Sequence, residues 1–270
     1  MKFSQEHAIY YTKYYMKQKK LLNSMILGGD RSGSTWINDL CAQHPDIFTC
    51  PVTRQEFLSK KEVLKRRFFS KLKFNCPLDT HKEEKIILGM RNMQLYHTSK
   101  VANMYFNYNK NIKFLLSLRN PIDRTISQYQ VSIKHQIERG LKPESYDINK
   151  EITKDQPYVR RGYIFSMLEH YLKLFPKNNF FIFPIEKVNH DPIKWMNKIF
   201  YFLEVEKKDK IDLQKPSLNK RVIKKNIDFK DVSELTKKNI VNWCLEDIKK
   251  LIDLSGIDLI EFWNLKKWIN

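Results

Sequence analysis

Short, uninterrupted apolar runs alternate along this chain with longer stretches whose apolar residues recur every three or four positions. The run that ends in "MILG" (25–28) predicts a buried strand, and "STWINDLCAQH" (34–44) a helix that His44-Pro45 stops. "KIILG" (85–89) predicts a second strand and "TSKVANMYFNY" (98–108) a helix. "IKFLLSL" (112–118) is a third strand, closed by "RNP". A helix starts there at Pro121, where the missing N–H of proline is no loss. "GYIFSMLEHYLKLF" (162–175) predicts an amphipathic helix, "NFFIFPI" (179–185) a strand and "PIKWMNKIFYFL" (192–203) another helix.

Strands alternating with helices predict an α/β fold: a three-layer, P-loop-like domain with a mainly parallel central sheet flanked by helices. No linker divides the chain, so 1–270 is read as one domain, with 1–20 as a basic, tyrosine-rich helical extension. Residues 60–73 read as a helix with seven basic side chains in fourteen positions. The polar segment 138–158 is a candidate mobile lid.

Composition narrows the function. An apolar content of 42% supports a sizeable core, and 49 basic against 30 acidic residues give a net charge of +19. Such a field favours anionic partners, although solvated surface lysines account for it equally well. No apolar run approaches the roughly 18–20 residues of a membrane helix, and the first residues lack a signal-peptide core. Cys41, Cys50, Cys76 and Cys244 show no C-x-x-C spacing, which suggests reduced thiols in a cytoplasmic protein and no metal site.

The stretch "MILGGDRSGSTW" (25–36) changes the picture most. From Gly28 it reads G-x-x-x-x-G followed by Ser34-Thr35, where a kinase-type phosphate loop reads G-x-x-x-x-G-K-[ST]. The lysine is replaced by Ser34, and the cation inside the loop is Arg31. The strand–turn–helix context is the one a phosphate loop requires. A second stretch, "LLSLRNPIDRTISQY" (115–129), sets Arg119 at the C-terminal end of a strand, with Arg124 and Ser127 on the helix that follows. An arginine and a hydroxyl so spaced suit a grip on one phosphate from two sides. Two anion sites on βα turns suggest a ligand with two separated phosphates.

"RSGSTW" and "RNPIDRTISQY", in that order, resemble the motifs of sulfotransferases that use 3′-phosphoadenosine 5′-phosphosulfate (PAPS). In that family the first motif holds the 5′-phosphosulfate and the second the 3′-phosphate. "HPDIFTCPVTRQEFL" resembles the segment after the first loop in heparan-type and bacterial members, while "YLKLFPKNNFFIFPIEKVNHDPIKWMNKIFYFLEV" and "LIDLSGIDLIEFWN" resemble the family's strand–helix unit after the 3′-phosphate site and its usual C-terminal end.

The resemblance implies roles. Arg31 stabilises charge on the leaving 5′-phosphate, and Ser32, Gly33, Ser34, Thr35 and Trp36 line the phosphosulfate and nucleotide. Arg119 and Ser127 hold the 3′-phosphate, Tyr163 lies near the nucleotide, and Lys220 and Arg221 belong to a basic loop that closes over it. Glu56, in "TRQEFL", is the implied general base, the alternative being an ordinary surface carboxylate. His81 and His97 are the next candidates. The reaction implied is in-line sulfuryl transfer from PAPS to a hydroxyl or amine, with a saccharide or glycolipid as acceptor and no metal.

Two other readings stay open. A P-loop small-molecule kinase calls for a lysine after Gly33 and an acidic Mg²⁺ ligand. A basic nucleic-acid-binding protein suits the charge, but no recognised module is found and no nucleic-acid partner is expected. His44, Trp36 and Trp195 all have packing roles as their simplest reading.

Overall fold

The computed structural model describes residues 22–49, 84–92, 99–140, 147–213 and 229–269. The helices expected over 1–20 and 60–73 lie outside the described residues, as do Glu56, His81, His97, Lys220, Arg221, Cys50 and Cys76.

Among the described residues five strands form the sheet: β1 (Ser24–Gly28), β2 (Ile47–Thr49), β3 (Ile86–Asn92), β4 (Lys113–Leu118) and β5 (Phe180–Pro184). Their order is β2-β3-β1-β4-β5 and every pairing is parallel. The strands read as continuous apolar runs because the sheet is covered on both faces. Successive side chains point to opposite faces, so Met25 and Leu27 enter one core while Ile26 enters the other. Phe114, Leu116 and Leu118 likewise join the first core and Leu115 the second.

The second core is closed by α1 (Ser34–Cys41), α7 (Ile185–His190) and α8 (Pro192–Phe202). The first is closed by α2 (Ser99–Tyr108), α3 (Pro121–Glu138), α6 (Ile164–Leu172) and α9 (Glu234–Ser255). The three-layer expectation holds, and the sheet is parallel throughout. The polar segment 138–158 carries α4 (Ile148–Glu151), with α5 (Pro157–Arg160) straddling its end. Ile148, Tyr158 and Val159 anchor this part in the first core. The last helix, α10, is Leu259–Phe262.

Local chemistry explains the boundaries nearest the site. In "RNP", Asn120 is the N-cap of α3, its Oδ1 accepting from Ile122 N at 2.9 Å, and Pro121 opens the helix. Asp191 caps α8 in the same way, and Ser233 caps α9.

The topology positions the site. From β1 the chain crosses over β3 to the β2 edge, whereas from β4 it moves to β5 on the other side. The connections that leave these two adjacent strands therefore diverge and open a crevice at their C-terminal ends, where ligands bind in open α/β sheets.

Candidate functional site

The loop after β1 and the turn after β4 meet in that crevice. Gly33 is the N-cap of α1 with φ 80°, in the left-handed region. A Cβ there would lie 2.6 Å from Ile185 Cγ1, so both conformation and space demand glycine. At Gly28 a Cβ would lie 2.5 Å from Ser34 Cβ, because the helix turns back tightly onto the strand. No side chain caps α1. Its first-turn N–H groups and positive dipole end face the crevice, the geometry that accepts an anionic oxygen.

Arg31 adopts φ 67°, an uncommon conformation for a residue with a side chain. Two contacts hold it. Arg119 Nη1 donates to the Arg31 carbonyl at 3.0 Å, and Arg31 Nε donates to Ser127 Oγ at 2.8 Å. The residues expected at the 5′ end and at the 3′-phosphate thus form one connected cluster. Arg31 is exposed and Arg119 and Ser127 are half-buried, so the guanidinium groups are open to a ligand.

Ser32 is turned inward. It is 2% exposed, its hydroxyl donates to Gly29 O at 2.7 Å, and it lies 3.2 Å from Ser117 Oγ on β4. Its side chain braces the loop from beneath. Ser34, Thr35 and Trp36 are half-buried at the start of α1, and Trp36 packs on the second core. Tyr163 precedes α6 and packs on the first core with its hydroxyl buried. Burial pushes that hydroxyl's pKa up, helped by the Asp247 carboxylate nearby.

Several contacts at the site follow from neither motif. Asp30 pairs with Arg161, Nη1 to Oδ2 at 3.0 Å. Burial raises the Asp30 pKa, against the opposing pull of Arg161, Arg124 and Arg31. Glu186, at the start of α7, accepts from Asn120 N at 2.8 Å and from Trp263 Nε1 at 3.2 Å. It thereby ties three chain segments together behind Arg119. Arg124, 2% exposed, donates through Nη2 to Tyr158 O at 2.7 Å, and desolvation lowers its pKa. A cavity of about 20 Å³, room for one water, lies among Arg124, Ser32, Ser117, Cys244 and Trp263. Sequence reasoning missed these contacts because the partners lie up to 131 positions apart.

Other expectations resolve simply. His44 is buried, its Nδ1 accepting from Asp46 N at 3.0 Å and its Nε2 lying 3.0 Å from Glu206 O, as suits a structural histidine. Cys41 and Cys244 are buried and unbridged. Among the described residues no cluster of His, Cys, Asp or Glu suits a metal ion, and no helix is long and apolar enough to cross a membrane.

Solved proteins resemble this chain to different degrees. A sulfotransferase from Alicyclobacillus acidocaldarius is 18% identical, covering 91% of this chain and 99% of its own, with a TM-score of 0.65. A sulfotransferase domain from a Synechococcus olefin synthase is 15% identical over 68% of this chain and 74% of its own, with a TM-score of 0.47. A mouse sulfotransferase complexed with PAP is 16% identical over 77% and 67%, with a TM-score of 0.41. Residues 22–250 match the family model described as a sulfotransferase domain.

Proposed function

Because the chain belongs to the sulfotransferase domain family, we propose that it moves a sulfuryl group from PAPS to a hydroxyl or amine of a saccharide or glycolipid. The observation that carries the assignment of roles is the Arg119–Arg31–Ser127 cluster, in which two arginines and a hydroxyl from neighbouring βα turns converge on one crevice. The tight cradle at Gly28 and Gly33 and the uncapped start of α1 fit a phosphate-bearing nucleotide on the same ground.

Bound PAPS supplies the activated sulfuryl group. The N–H groups at Gly33, Ser34 and Thr35, with the two hydroxyls, bind and orient the 5′ end. Arg119 and Ser127 bind the 3′-phosphate. Arg31 offsets the charge that grows on the leaving 5′-phosphate, a cation preset by its backbone and by Ser127. Trp36 and Tyr163 flank the nucleotide, and Lys220 and Arg221 close over it. Glu56 takes the acceptor's proton. The net charge of +19 supports an anionic acceptor, and the reduced Cys41 and Cys244 support a cytoplasmic setting.

Thermal unfolding with adenosine 3′,5′-bisphosphate (PAP) tests this reading. Millimolar PAP raises the melting temperature by mass action, with or without Mg²⁺, and ATP at the same concentration has a smaller effect. An unchanged melting temperature with PAP would sink the proposal.

A further inference from the structure

The phosphate-binding loop contains a carboxylate. Asp30 stands between Gly29 and Arg31 at the end of β1, in a loop whose ligand is anionic. Its side chain is 16% exposed, so bulk water screens it poorly. Left uncompensated, a negative charge in the loop that holds a phosphate weakens binding by roughly 10- to 100-fold at an effective dielectric of about 20.

The strongest compensating charge, beside those of Arg124 and Arg31, comes from far along the chain. Arg161 donates to Asp30 Oδ2 at 3.0 Å across 131 positions. It reaches the loop from the turn after α5, and that turn is anchored from below. Arg124 Nη2, from α3, donates to Tyr158 O at 2.7 Å. Gly162 lies so close to Arg124 that a Cβ there would meet Nη2 at 2.6 Å. The helix that anchors the turn also carries Ser127, the partner of Arg31. Asp30, Arg161, the turn, α3 and Arg31 therefore close a ring around the anion site.

We propose that Arg161 is a positioning residue whose ion pair with Asp30 cancels the negative charge in the loop and so allows it to accept a multiply charged nucleotide. The inference rests on the reading of this crevice as the nucleotide site. Arg161 acts through Asp30 rather than on the nucleotide. Its requirement therefore disappears once the carboxylate is gone.

A double-mutant cycle on the full chain, with PAP affinity as the readout, tests this. Arg161→Gln weakens PAP binding by about 10- to 100-fold, and adding Asp30→Asn restores it to within about threefold of the unmodified protein, because the neutral pair again carries no net charge. Asp30→Asn alone tightens binding by about two- to fivefold, because it leaves the half-exposed Arg161 cation unpaired beside the loop. A double variant that binds PAP as weakly as Arg161→Gln alone overturns the proposal, since Arg161 would then touch the nucleotide or serve only the fold. No loss from Arg161→Gln overturns it as well. Should Arg161→Gln fail to fold, Asp30→Asn alone decides, and tenfold weaker binding sinks the idea. Failure of the unmodified protein to bind PAP is a different result and counts against the nucleotide site itself.

Discussion

Arg31 Nε donates to Ser127 Oγ at 2.8 Å, joining residues 96 positions apart. The contact links the loop after β1 to the first turns of α3 and fixes the Arg31 side chain over the crevice. The two side chains consequently respond as a unit. Ser127→Ala is expected to weaken PAP binding about tenfold, the scale of one hydrogen bond to a charged group. Combined with Arg31→Ala, the total loss falls short of the sum of the single losses by about 0.5 kcal/mol or more. Calorimetric titration with PAP measures all three variants, and strict additivity would show that the pair is not coupled.

Arg31 is expected to matter more in the transition state than in the ground state, because charge on the bridging oxygen grows as the S–O bond breaks. Arg31→Ala should lower kcat by roughly 10²-fold or more. Steady-state kinetics separate the two effects, and a change confined to the KM for PAPS contradicts the role.

Two glycines with nearly the same backbone make a matched comparison. Gly33 has φ 80° and Gly140 φ 75°, but a Cβ meets Ile185 at 2.6 Å in the first case and nothing within 4 Å in the second. Gly140→Ala carries only the backbone penalty of about 1 kcal/mol. Gly33→Ala adds a clash and should cost about 2–4 kcal/mol. Urea unfolding of both variants checks the difference, and equal costs would mean that Ile185 yields freely.

Glu186 accepts one hydrogen bond on each oxygen, from Asn120 N and from Trp263 Nε1. Glu186→Gln sets an N–H₂ against one of these donors and is expected to destabilise the fold by about 1–3 kcal/mol. The same denaturation experiment reads it, with Asn179→Asp, remote from the crevice, as a comparison.

Glu56 lies outside the described residues, and its role as base rests on the resemblance of "TRQEFL" to the heparan-type segment. Glu56→Gln should lower kcat by about 10²- to 10⁴-fold and leave PAP binding intact. With a hydroxyl acceptor the unmodified enzyme loses rate at acid pH, as the carboxylate protonates. Near-normal turnover in the variant would move the search to His81 and His97.

The sequence alone determined what short-range geometry can encode. Apolar runs marked β1, β4 and β5 because both faces of a parallel sheet are buried. Gly33, Asn120 and Pro121 announced their turns because caps and left-handed residues act on atoms within a few positions. Several elements escaped that reading, β2 and α9 among them. β2 has only three residues, too few for a period to register. α9 buries Thr236, Lys237 and Asp247 along with its apolar residues, which blurs the stripe that would have marked it.

Tertiary structure alone decided which turns face each other. The order β2-β3-β1-β4-β5 sets β1 beside β4, and only that adjacency brings Arg31 to Ser127 and Arg119 to the Arg31 carbonyl. The pairing of Asp30 with Arg161 and the clasp of Glu186 on Asn120 and Trp263 have the same origin. Periodicity and caps report on the few residues that one turn of helix or one strand spans. A contact across 77 or 131 positions depends on the direction of each crossover, which no local pattern records.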